Sequence, residues 1–394
     1  MHSSGLLVLV GGSLLVSCDP QSAQSPLAMS PLPGVAIRMV SDSLRSPTAG
    51  ARHSCAINVN QGQVTLCWGE LFGVSVSTPT PIAGDPGLVE VSAGTAFTCG
   101  VVAGTQVNNA YCWGDNTFGQ LGDGTTTPRA VPTHVGGGIH FAHVWAGGTH
   151  ACGIDSNGVA FCWGANTLGQ LGNGTTVSPK PLPVQVTGGL LFDRIATGFQ
   201  HTCGERLGIV YCWGLGAQGQ LGNGNTINRT SPTPVTRPGG ILLGNVTAGQ
   251  NHTCATRFVS LHNITAYCWG NNPFGQLGDG TTTPRNVPVK VGGPIAQWDV
   301  IGAGMFHTCA LSGTTPYCWG QGDHGQIGNG SAASQLLPTA VSGAPVIVKS
   351  FFAVGGRHNL GVGVSNSYAW GDNGAGQLGS GGNPPIAFTP VILP

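Results

Sequence analysis

A chain of 394 residues with zero formal net charge and only 7% charged side chains lacks the dense basic surface that nucleic-acid binding requires. Glycine fills 67 positions without a three-residue period, which excludes a collagen-like fibre, and an apolar fraction of 40% is enough for a substantial core.

Residues 6–16 form an apolar run of signal-peptide length, too short to span a bilayer alone. The run ends in Leu15-Val16-Ser17-Cys18, which resembles the lipobox of bacterial lipoproteins. That resemblance implies cleavage after residue 17 and lipidation of Cys18, so that the chain meets the membrane only through a lipid anchor. Met1-His2-Ser3-Ser4 supplies no Lys or Arg, and a plain secretory signal is the alternative. Either reading has the chain exported, to the cell envelope or beyond it; a cytosolic chain is the remaining alternative. Residues 19–34, rich in Pro, Ser, Ala and Gln, have the composition of a flexible tether. Val35-Ala36-Ile37-Arg38-Met39-Val40 then reads as a strand outside the regular repeats. It is expected to close the fold by pairing with one of the sheets, which places the domain at residues 35–394.

From residue 48 onward one pattern recurs. A Trp-Gly pair stands at Trp68, Trp113, Trp163, Trp213, Trp269, Trp319 and Trp370, at spacings of 45, 50, 50, 56, 50 and 51 residues. Seven copies of one period mean a repeat architecture, in which each unit buries its faces on its neighbours within one large domain. Each copy divides into four short extended segments, as expected of a small antiparallel sheet. The first ends at Ala-Gly, with apolar residues three and six positions earlier; Val144 with Phe141 and Ile301 with Trp298 are examples, and all read as core. The second is the His-Thr-Cys run and the third ends in Cys-Trp-Gly. The fourth begins at a proline, as at Pro183, Pro288 and Pro390, which suits an outer edge.

Between the third and fourth segments stands Gly-Gln-Leu-Gly, at residues 119–122, 169–172, 219–222, 275–278 and 376–379, with Ile327 replacing Leu in copy six. A phosphate cradle would need a helix N-terminus behind it, and no helical pattern follows. Copy one carries Glu70-Leu71-Phe72-Gly73-Val74 instead. These joint motifs resemble the regulator of chromosome condensation repeat family, and the likeness extends over residues 48–394, as in an exported bacterial member. The resemblance implies an all-β, seven-bladed β-propeller of four-stranded antiparallel blades.

Twelve cysteines besides Cys18 fall two to a copy: Cys55 with Cys67, Cys99 with Cys112, Cys152 with Cys162, Cys203 with Cys212, Cys254 with Cys268, and Cys309 with Cys318. In copy seven the same positions are Leu360 and Ala369, so both are replaced together. Joint replacement and export favour six hairpin disulfides over zinc, whose ligands converge four at a time, or over reduced core thiols. A histidine follows Ala-Gly at His53, His150, His201, His252, His307 and His358, with Phe97 in copy two. That substitution points to packing and hydrogen bonding, each histidine sitting within its own blade, rather than to a metal ring. No catalytic grouping recurs, and no metal or cofactor is expected.

Five residues after each Trp the chain carries Gly73, Phe118, Leu168, Gln218, Phe274, His324 and Ala375. An exposed position that changes from copy to copy is free to serve recognition, and Phe118, Leu168, Gln218, Phe274 and His324 are the candidate binding residues. Side chains folded back over their own blades are the alternative. Two function classes remain open: a binding module that presents loops to a protein or a glycan, or an enzyme or a regulator of a partner enzyme. The resemblance includes both, since the family's archetype promotes nucleotide exchange on a GTPase and a related bacterial propeller inhibits a β-lactamase. The expectation is a monomeric, non-catalytic binding propeller with a protein partner.

Overall fold

The computed structural model describes residues 44–59, 62–104, 107–260, 263–295, 297–343, 346–363, 366–381 and 386–393. The signal-like run, Cys18, the tether and the expected closure strand at Val35–Val40 lie outside the described residues. Seven sheets of four antiparallel strands follow one another, each hydrogen-bonded in strict sequence order. The blades occupy residues 44–81, 88–134, 141–185, 194–234, 244–290, 300–340 and 347–392. First strands of all seven line a central channel, and the first strand of blade one packs against that of blade seven. The ring is a seven-bladed propeller. Among the described residues the one helical element is a 3-10 turn at Pro238–Gly240.

The repeated residues explain the blades. Residues three and six before the Ala-Gly glycine are buried in blades two to six, among them Phe141, Val144, Phe192, Ile195 and Trp298. They meet the Trp-Gly tryptophan of the same blade: Phe141 and Trp163 ring centroids lie 5.5 Å apart, and Trp298 and Trp319 lie 5.7 Å apart. Each such cluster spans two blades. Leu44 and Trp68 pack with Leu360, Ala369 and Leu378, so the closing junction is built like the others. Fourth strands are outermost, but each begins earlier than its proline. Lys180–Gln185 holds Pro183 in its interior, at the irregularity where pairing jumps from Cys162↔Val184 to Gly164↔Lys180. An interrupted outer ladder tolerates the missing N–H.

The second and third strands place each cysteine directly opposite its partner, as in Cys152↔Cys162, and all six pairs are disulfide-bonded with Cα atoms 4.0–4.1 Å apart. Leu360↔Ala369 takes the same register in blade seven. There an apolar pair fills the space of the disulfide.

The Gly-Gln-Leu-Gly loop clasps the following blade. The main-chain carbonyl of Gln accepts from the next tryptophan's Nε1: Gln120 from Trp163 at 2.9 Å, Gln170 from Trp213 at 3.0 Å and Gln220 from Trp269 at 2.9 Å. Gln276 and Gln326 repeat this with Trp319 and Trp370 at 3.0 and 3.2 Å, and Gln377 reaches Trp68 at 2.9 Å across the ring closure. Glycine is required at the loop's end: Gly172 has φ +66°, and a Cβ there would stand 2.6 Å from Trp213 Nε1.

Candidate binding face

The turn after each first strand and the clasp loop lie at the same end of every blade that has the loop, because His150 pairs with Gly164 and its equivalents do likewise. That end is the face on which copy-variable residues gather. Its frame is a chain of buried histidines. His150 Nε2 meets Thr202 Oγ1 at 2.8 Å, His201 meets Thr253 at 2.9 Å and His252 meets Thr308 at 2.9 Å. His307 meets Asn359 Oδ1 at 2.9 Å, His358 meets Ser54 Oγ at 2.7 Å, and His53 meets Thr98 Oγ1 at 2.8 Å. Every partner is on the next blade, so the hydrogen-bonding role read from the sequence is one between blades. Asn359 Nδ2 donates to Gln326 O at 2.8 Å, so its Oδ1 is an acceptor and His307 must donate from Nε2. Nδ1 then carries the lone pair. Those of His150, His201, His252, His307 and His358 have no partner among the described residues.

The ring lies against the Ala-Gly glycine, where a Cβ on Gly198 would sit 2.4 Å from His201 Cε1. Close approach, rather than an unusual φ, therefore fixes glycine in this motif. Burial pushes His150, His201, His252 and His358 down to about 3, and His53 and His307 down to about 4. Neighbouring histidines press His150, His252 and His358 further the same way.

Between blades two and three the pair becomes Phe97 and Ala151, which are buried in one cluster. The polar pair and the apolar pair are two solutions for one junction. A double-mutant cycle at His201 and Thr253 should show this coupling. His201→Phe and Thr253→Ala should each destabilise by about 1–3 kcal/mol through an unsatisfied buried group. The double variant should cost less than their sum by about 1 kcal/mol or more, measured by denaturant unfolding. Additive costs would mean the junction is not a unit.

On this frame the five candidate residues share the rim but differ in exposure. Phe118 is 41% exposed. Gln218 is also exposed, while Leu168, Phe274 and His324 are half-buried. Two of the half-buried ones lean toward the next blade rather than over their own. Phe274 meets Phe306 edge-on at 5.6 Å, and His324 Nε2 accepts from Arg357 Nη1 at 3.1 Å. Ala375 is buried and Gly73 falls in a different turn. The structure adds what sequence reading passed over: Phe306, Met305 and Phe199, in the two positions before the histidine. Those positions also change from copy to copy, so the same comparison applied there would have found them. Phe199 and Met305 stand in the lining of the central channel, a cavity of about 310 Å³ whose wall also holds Trp145 and Arg194.

Residues 108–154, 157–204, 208–256, 265–311 and 317–362 match the regulator of chromosome condensation (RCC1) repeat, and residues 141–170 match a second form of it. Each of the five units begins within or just before the third strand of one blade and ends in the second strand of the next, so the family's repeat straddles the clasped junction. The ultraviolet-B receptor UVR8 of Arabidopsis thaliana is 30% identical over 309 residues, covering 75% of this chain and 67% of that protein. Prp20p from Saccharomyces cerevisiae shares the fold at a TM-score of 0.69 and 21% identity, with 81% of each chain covered. Human WBSCR16 does so at 0.69 and 18% identity, over 80% of this chain and 85% of its own. With repeat, junction and fold all in agreement, the chain belongs to the RCC1 repeat family.

Proposed function

We propose that this propeller is an exported, non-catalytic binding protein that holds a polypeptide partner on the face built from its clasp loops and Ala-Gly turns. The observation that carries this reading is the set of copy-variable apolar side chains, Phe118, Leu168, Phe274, Phe306 and Met305, none of them buried, on a frame otherwise repeated from blade to blade. Large aromatic anchors beside small polar residues are the composition of interface hot spots. Six disulfides agree with an oxidising compartment. Retention at the envelope through Cys18 is part of the same proposal. Among the described residues no helix is long and apolar enough to cross a membrane. Prp20p, which shares the fold, is described by its binding to Gsp1p and histones, so this scaffold supports protein partners elsewhere. If the partner is an enzyme, the chain would act as its regulator.

The test is a triple substitution of Phe118, Leu168 and Phe274 to Ser. Partners captured from envelope extracts by the parent protein should be lost, with the melting temperature changed by only a few degrees. Capture that survives the substitutions would place the binding surface elsewhere.

A further inference from the structure

Each clasp loop occupies a seat on the next blade, and six of these seats are filled. Besides the tryptophan Nε1, the Gln carbonyl often takes a second donor from the next blade: Thr202 Oγ1 to Gln170 O at 2.8 Å, Thr253 to Gln220 at 2.9 Å, and Ser54 to Gln377 at 2.9 Å. Four residues further on, a loop N–H donates to the neighbouring outer strand, as Gly124 N to Pro181 O at 2.9 Å, Gly174 N to Thr230 O at 2.8 Å and Gly224 N to Asn286 O at 2.9 Å. A seat therefore presents two donors for one main-chain carbonyl and an acceptor for one main-chain N–H.

Among the described residues, none fills the seat of blade two. Blade one lacks the loop: its third and fourth strands pair as far as Leu71↔Val74, and the turn is Phe72-Gly73 with φ of +53° and +74°. Positive φ at both positions is a type I′ turn, too tight to reach the next blade. Trp113 Nε1 and Ala130 O consequently have no partner among the described residues. Among the described residues, Thr98 Oγ1 takes His53 Nε2 at 2.8 Å and has the Cys55 sulfur, at 4.0 Å, as its one other hydrogen-bond partner. The surroundings are apolar and uncovered. Phe72 is 49%, Val74 62% and Val131 45% exposed. Leu71 and Ile82 are half-buried where other junctions bury a Leu and a Val completely.

We propose that this seat binds a glycine-containing turn of a partner polypeptide. A main-chain carbonyl of the partner would accept from Trp113 and Thr98, and its N–H four residues on would donate to Ala130 O. The occupant's chemistry follows from the molecule itself. The seat continues an interface that six loops of this chain already fill with main-chain groups at that spacing, and glycines are what fit against the indole. The inference goes beyond the apolar rim and does not depend on it.

The test uses the full chain labelled with nitrogen-15 and a cyclic peptide copying residues 166–176, Asn-Thr-Leu-Gly-Gln-Leu-Gly-Asn-Gly-Thr-Thr. Trp113→Phe assigns the indole resonance. In the free protein the Trp113 indole N–H should exchange with solvent at least about 100-fold faster than those of Trp163, Trp213 and Trp269, an opening difference of about 2.7 kcal/mol. The peptide should shift that resonance, saturate with a Kd below about 1 mM, and slow its exchange. Thr98→Val, which also removes His53's partner, should weaken the peptide about fivefold, as one hydrogen bond is worth, in a chain whose other indole resonances show the fold retained. A Trp113 N–H already protected in the free chain would show the seat filled by the chain's own residues and overturn the proposal. So would a resonance unmoved by peptide, or one that moves no more than the other indoles.

Discussion

Acidified from pH 7 to pH 4, the protein is expected to lose its fold. Its six buried histidines are neutral when folded, with burial holding their pKa values at about 3 to 4 against an ordinary 6.5. Between those values the unfolded chain binds more protons than the folded one, so stability rises with pH there. It is complete above about pH 7, falls as pH drops below 6.5, and the loss ends only below about pH 3. One pKa unit corresponds to about 1.4 kcal/mol, so each histidine contributes about 3 to 5 kcal/mol across that window. Two or three of them suffice to cancel the roughly 5–15 kcal/mol by which domains are stable. Nδ1, unpartnered against glycine, offers a new proton no acceptor. Tryptophan fluorescence and circular dichroism should place the acid midpoint between about pH 4 and 6. The variant carrying His201→Phe with Thr253→Ala, which removes one titrating group, should unfold at a lower pH. An unchanged melting temperature at pH 4 would show that the histidines are not the determinant.

Reduction should have an effect of similar size. Paired cysteines are 9 to 14 residues apart in sequence, and a crosslink closing a loop of that size is worth about 2–3 kcal/mol in the chain-entropy model. The contributions will not add linearly over six blades, but their joint loss should lower the melting temperature by tens of degrees. A single blade tells entropy from packing. Cys203→Leu with Cys212→Ala copies the Leu360–Ala369 pair of blade seven, so it should cost about 2–3 kcal/mol and leave no cavity. A much larger cost would mean that the sulfurs pack in a way the apolar pair cannot replace. Peptide mapping of exported protein under non-reducing conditions should find every bond within one blade; bonds between blades would contradict the register.

What the amino-acid sequence determined by itself is whatever repeats within about fifty residues. Seven Trp-Gly pairs set the number of blades, and alternation with turn residues set the four strands of each. The paired cysteines, replaced together in copy seven, set the hairpin register. All of these are local, since the interacting residues lie within one copy and the other copies serve as comparison. Tertiary structure alone decided what happens between blades. His201 bonds Thr253, 52 residues away, and the sequence offers no means of choosing that partner over one in its own copy. Phe97 read as an isolated exception until the junction placed it in one cluster with Ala151. The lean of Phe274 and His324 toward the next blade, and the unfilled seat at Trp113, were hidden in the same way. A ring brings the end of one repeat against the start of the next, and only closing that ring in space fixes which polar groups find a partner there and which stay open to another molecule.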